Sequence, residues 1–372
     1  MSETSYDDPV IRPIAHFAGT REHPVPTDRL RAVRRAAHAF REELLSAPAV
    51  PLYRSFDVTK VPYPTKYGLR DACTLPLPYL HILNRLFVVQ FPTREGIKTL
   101  LAEPLDRIAN AQTPFFKSLA APLGGAEGRL ANVLYPELNS MSDILARLGL
   151  RPEDVDYITY DHLHTQDVRR WLGTREREAY FPNAKLLVTR REWEETQGPL
   201  PLHAAWYPPH GTDGVPPERV IMLDDDVMLG DSVALVRTPG HTEGNHSIVV
   251  RSDDGIFVTS ENGVAVDSWA PEHSRIPGVA RWARTTGCEV VLNANTLENS
   301  IDQYVSMVLE KELAGPSARD PDFPNVAPSS EMCPHVLSPR LRPTFSVGEL
   351  TYGSPVSTLA TETSSRAAAS GA

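Results

Sequence analysis

The chain has 372 residues but only three cysteines, Cys73, Cys288 and Cys333, and none of them form a Cys-x-x-Cys pair. That excludes a disulfide framework and a cysteine-ligated zinc site. No stretch of about eighteen uninterrupted apolar residues occurs, so no membrane-spanning helix and no membrane partner are expected. The first residues, Met1 to Asp8, have neither the basic start nor the apolar run of a leader, which gives a cytoplasmic location as the expectation. Basic charge is also short, with 37 Lys and Arg against 47 Asp and Glu and a formal net charge of −10. Gripping a phosphate backbone requires the opposite sign, so a nucleic-acid partner is excluded. A Gly-x-Ser-x-Gly elbow is missing too, which removes one large class of serine hydrolases. What remains, 41% hydrophobic and 23% charged residues, can bury a large core in one elaborated domain or two small ones.

Histidine carries the strongest signal. In Tyr160-Asp161-His162-Leu163-His164-Thr165-Gln166-Asp167 two histidines stand one residue apart. In extended chain, side chains at i and i+2 point the same way, so His162 and His164 can offer nitrogens to one cation. A third donor must come from elsewhere. His241 fits: it follows the strand-like run Val233 to Arg237 and sits beside the Pro239-Gly240 turn, which can aim it back at the first pair. Three neutral imidazoles suit zinc or ferrous iron and leave room for a water. The other histidines read differently. His246 opens a strand and is expected to be packed, while His203, His210, His273 and His335 lie in Pro-rich or polar loops and are expected at the surface.

These residues resemble the metallo-β-lactamase-fold hydrolases, particularly their acyl-homoserine lactonase and glyoxalase II types. The resemblance spans roughly residues 80 to 315. Leu148 to Ile158 looks like the lead-in to an HxHxDH motif, Phe181-Pro182-Asn183-Ala184-Lys185 with Arg191-Glu192-Trp193 is similar to the segment that follows it, and Thr238 to Ser247 matches TPGHTxGxxS. The fold so implied is an αββα sandwich, two mixed β-sheets flanked by helices. The activity implied is attack by metal-bound hydroxide on an ester, lactone, thioester or amide of a small molecule.

The departures bear on the metal. Where HxHxDH has Asp and His, this chain has Gln166 and Asp167; the expected bridging Asp is matched by Glu261; and the last His is replaced by Asn293 or Asn295. The favoured arrangement is one zinc ion on His162, His164 and His241, with Glu261 as fourth ligand or hydrogen-bond partner. The alternative is two unequal ions bridged by Glu261, with Asp167 on the weaker site, which would suit iron or manganese. Asp167 is the candidate proton acceptor, or a cap on the short helix that follows it. Asp161 is either an acceptor for a ligand imidazole or a loop cap. Trp206 and Tyr207, in a stiff Pro- and aromatic-rich loop, are expected to line the substrate pocket. Two other functional classes stay open: a mono- or diiron oxygenase, for which His162, His241 and Glu261 would supply the ligands, and a non-catalytic protein that metal merely stabilises.

The expected organisation is an N-terminal extension over 1–50, a catalytic domain over 51–315, and a C-terminal extension over 316–372 with a disordered end. Spacings of three and four from Leu30 to Leu44 predict an amphipathic helix capped by Thr27, which either packs on the body or forms a homodimer contact. Strands are expected at Leu86 to Phe91, Thr99 to Leu101, Val233 to Arg237, Ser247 to Val250, Ile256 to Thr259 and Glu289 to Leu292. Helices are expected at Ser142 to Leu148, ended by Gly149, and after Asn299, with an apolar face from Ile301, Tyr304, Val305, Val308 and Leu309.

Overall fold

Leu86, Phe87, Val88, Val89 and Phe91 are buried on both faces of one strand, which requires a packed layer on each side of the sheet. The computed structural model, which describes residues 6–121, 136–294 and 300–356, supplies those layers. One sheet contains β2 (Leu52–Pro64), β3 (Tyr79–Thr93), β4 (Gly96–Ala102), β5 (Tyr157–Thr159), β6 (Lys185–Thr189), β7 (Val220–Leu223), β13 (Ser330–Cys333) and β14 (Thr351–Gly353). Its order is β14-β2-β3-β4-β5-β6-β7, with β13 also paired to β3. The other contains β1 (Ile11–Pro13), β8 (Val227–Leu229), β9 (Val233–Arg237), β10 (His246–Ser252), β11 (Gly255–Ser260) and β12 (Val326–Pro328), in the order β1-β8-β9-β10-β11-β12. Both sheets mix parallel and antiparallel pairs, as the αββα expectation requires.

Between the sheets, Phe87, Val89, Leu100 and Leu187 pack against Leu235, Ile248, Val250 and Phe257. The outer face of the second sheet is covered by the helices Pro26–Ser46 and Ser300–Ala314, through Phe40, Leu44 and Val308. Burying each of these side chains contributes about 2 kcal/mol. The helix Met141–Leu148 and Trp171 cover the first sheet. That helix starts where Ser140 accepts the N–H of Asp143 and stops at left-handed Gly149.

Several expectations change. Thr27 is not the cap: the first helix begins at Pro26, whose missing N–H costs nothing in a first turn. Glu289 to Leu292 forms no strand, and the N–H of Val291 is satisfied instead by the carbonyl of Ser268. Ile301 faces solvent rather than the core. The boundaries at 50 and 315 do not separate layers, since β1 pairs with β8, β12 with β11, β13 with β3 and β14 with β2. Asn295, Asn299 and the tail 361–372 lie outside the described residues. No helix among the described residues is long and apolar enough to cross a membrane. The ends of β4, β5, β9, β11 and β12 run into the loops that form the site described next.

Candidate metal centre

The loop after β5 and the loop after β9 bring His162, His164 and His241 together. Their ring centroids are 5.0 Å apart for His162 and His164, 4.6 Å for His162 and His241, and 5.3 Å for His164 and His241. All three are buried, and one nitrogen of each lies within 4.8 Å of the others.

Local backbone explains why these loops converge. Thr165 adopts a left-handed φ of 64°, unusual for a β-branched residue, and its N–H is held by the carbonyl of Trp206 at 2.7 Å. In the second loop two glycines are required by close approach. A Cβ on Gly240 would stand 2.2 Å from Cα of Gln303, and one on Gly244 would stand 2.2 Å from the backbone nitrogen of Glu192. Glu192 then joins the loops directly. Its carboxylate accepts the N–H of Leu163 at 2.7 Å and the hydroxyl of Thr242 at 2.6 Å.

Two rings are oriented from behind. Nδ1 of His162 lies 2.6 Å from Asp161, and Nδ1 of His241 lies 3.1 Å from the carbonyl of Asn293, which leaves Nε2 of each for a cation. Of the two roles considered for Asp161, the geometry therefore gives the imidazole partner. Burial drives the His241 imidazole down to about 3, and burial and the neighbouring His162 push His164 well below the usual range. Burial also opposes charge on His162, but Asp161 reverses it and raises that imidazole to about 9. Two neutral imidazoles and a third paired with a carboxylate form a donor set that fits a divalent cation.

The other candidates divide. Glu261 lines the same cavity, but its carboxylate is turned to Ser329 at 2.8 Å and does not join the close group of nitrogens. Burial and the adjacent Asp161 raise its carboxyl to about 8. Asp167 is not brought to the imidazoles. Its carboxylate meets Nε of Arg169 at 3.0 Å and the N–H of Arg169 at 3.1 Å and faces a separate surface hollow, while Val168, not Asp167, is the N-cap of the helix Arg169–Leu172. Trp206 lines the cavity, stacked on Phe115 at 4.3 Å. Tyr207, its neighbour, lies outside the lining, with its ring 4.9 Å from His164 and its hydroxyl 3.4 Å from Glu192. His203 is buried beside Glu195 rather than exposed.

Sequence reasoning missed Glu103 and Ser329, and it missed what Glu192 does. Ser329 reaches both Asp161, at 2.6 Å, and Glu261, while Glu103 accepts the N–H of Asp161 at 2.7 Å. Burial and Asp161 raise the Glu103 carboxyl well above its usual range. No local pattern marks these residues, because each becomes relevant only through the loop it meets.

No protein-family profile matches the chain. Among curated proteins it is similar to the N-acyl homoserine lactonase AttM of Rhizobium radiobacter, 29% identical over 164 residues, which are 41% of this chain and 59% of the relative. It is also similar to an N-acyl homoserine lactonase of a Bacillus species, 28% identical over 117 residues, covering 32% and 41% respectively. Over the matched segment the chain is similar to these lactonases, and its two mixed sheets flanked by helices form an αββα arrangement. The chain spans about three fifths of the length of the first of those relatives. Among solved structures, a probable metal-dependent hydrolase from Staphylococcus aureus superimposes with a TM-score of 0.46 at 12% identity, over 72% of this chain and 84% of that one.

Proposed function

We propose that the protein is a metal-dependent hydrolase that opens an ester or lactone of a small molecule, with one zinc ion held by His162, His164 and His241. The observation that carries this reading is the buried trio of imidazoles lining a cavity whose walls include Tyr63, Ile82, Phe115 and Trp206. A bound divalent cation supplies Lewis-acid activation of water and of a carbonyl. The chain's own residues do the rest. Asp161 and the carbonyl of Asn293 fix two of the rings, and the aromatic wall offers an apolar arm of the substrate a dry surface. N-acyl homoserine lactones, the substrates named for the curated relatives, combine such an arm with a lactone and are the first compounds to test.

The test is metal content by inductively coupled plasma mass spectrometry on untagged protein purified without chelators, followed by turnover of acyl homoserine lactones and aryl esters. About one equivalent of zinc, lost in His241→Ala together with turnover, is the expected result. Co-purifying iron with oxygen uptake and no ester or lactone turnover would replace this reading with oxygen chemistry.

A further inference from the structure

Gln166 lines the cavity beside the three imidazoles, and the direction of its amide is fixed by a chain of bonds that begins at the backbone. The N–H of Asp167 can only donate, and it reaches Oδ1 of Asn110 at 3.1 Å. Asn110 must therefore turn its amide nitrogen the other way, where it meets Oε1 of Gln166 at 2.8 Å. An amide nitrogen is a donor, so the Gln166 atom facing it must be oxygen, and the NH₂ of Gln166 is turned away from Asn110. Asn110 is buried, and its own first turn is held by Asp106, which accepts the N–H groups of Ile108 and Ala109. The amide of Gln166 is thus anchored at one end, with two N–H bonds left to donate.

We infer that Gln166 donates a hydrogen bond to the carbonyl oxygen of the substrate at the His162, His164 and His241 centre, aimed there by Asn110. This deepens the hydrolase reading and rests on it for the identity of the carbonyl. Gln166 transfers no proton. As water oxygen bonds to the carbonyl carbon, the π electrons move onto the carbonyl oxygen, and the amide stabilises that charge until the bond to the leaving oxygen breaks and that oxygen takes a proton from the attacking water. A preorganised neutral donor aimed at developing charge is the type of group whose loss costs about 10²–10³ in rate. The departure from HxHxDH then has a positive sense: at Gln166 a carboxylate is replaced by a fixed donor, and a second cation is not needed to polarise the carbonyl. Gln166 is the catalytic residue here and Asn110 the positioning residue.

Gln166→Met keeps the length of the side chain and removes both N–H groups, and Asn110→Ser removes the anchor. In wild type and both variants we would measure zinc content, kcat and KM on a lactone, and calorimetric binding of hexylphosphonate, a tetrahedral anion. The expected result is unchanged zinc, kcat lower by about 10²-fold in Gln166→Met and about 10-fold in Asn110→Ser, KM within about threefold, and weaker phosphonate binding in the same order. A Gln166→Met protein with intact zinc that keeps wild-type phosphonate affinity would overturn the donor role, whatever its substrate. If wild type turns over no ester or lactone yet binds phosphonate in a Gln166-dependent way, the donor stands and the hydrolase reading fails. Loss of zinc in Gln166→Met would show a scaffold role and overturn the inference as well.

Discussion

The imidazole side of the centre and the Gln166–Asp167 side are built in opposite ways. On the first, each loop is pinned: Asp161 behind His162, the carbonyl of Asn293 behind His241, and Glu192 across both loops. On the second, the carboxylate of Asp167 is turned to Arg169 and the amide oxygen of Gln166 to Asn110. Both sides are buried and both are hydrogen-bonded, so packing alone does not distinguish them. What differs is where the donor atoms point, and that restricts the close group of nitrogens that could hold a cation to His162, His164 and His241 among the described residues.

The contrast can be broken most strongly at a proposed ligand. His164→Ala should weaken cation binding by at least about 10²-fold, seen by metal analysis after chelator challenge, whereas an Asp167 variant should not. Next is the clamp. Glu192→Ala leaves the N–H of Leu163 and the hydroxyl of Thr242 buried without their acceptor and should cost about 3 kcal/mol in denaturant unfolding. Metal affinity should fall with it.

A third measurement concerns the support beneath the His241 loop. Glu310 is buried and accepts from Ser247, Asn262 and Trp269, and burial raises its carboxyl to about 7. Between the unfolded value near 4.5 and that folded value, the folded state holds a proton the unfolded state has lost. Its contribution is therefore fully present below about pH 4.5 and lost as pH rises towards 7, a decline of about 3 kcal/mol. Glu310→Gln should flatten that slope in unfolding curves taken across the range, even if it lowers stability overall. The smallest effect is expected at Asp167→Asn. It should leave zinc unchanged, keep kcat within about twofold, and cost under about 1 kcal/mol through its bond to the half-exposed Arg169. A large loss of kcat there would erase the difference between the two sides.

Legibility in the sequence followed the range of the interactions. The strand Val233–Arg237 and the helix ending at Gly149 were readable because a few neighbouring residues determine them. The three histidines were readable because loop motifs carry their own turn chemistry, including the glycines that Gln303 and Glu192 crowd. Trp206 and Tyr207 show the limit. They are adjacent and both aromatic, yet one lines the cavity and the other packs behind His164, a difference set by the residues across from them. Asp167 was misplaced for a similar reason: sequence shows the carboxylate but not that Arg169 captures it. Glu289 to Leu292 has strand-like composition and no strand partner, so its backbone bonds go to loops. Glu103 and Ser329 act on Asp161 from far along the chain and leave no local trace.

The position of Ser329 sets the order in which a newly made chain can finish its centre. The imidazoles and Asp161 all precede residue 242, but the hydroxyl that joins Asp161 to Glu261 comes between β12 and β13. During synthesis the loops around His162 and His241 emerge first, with two neighbouring carboxylates not yet joined. They receive their shared partner only when the segment near residue 329 has left the ribosome and β12 and β13 have added to opposite sheets. The completed pocket is thus a late event in the life of each molecule, coupled to closure of both sheets by the same short stretch of chain.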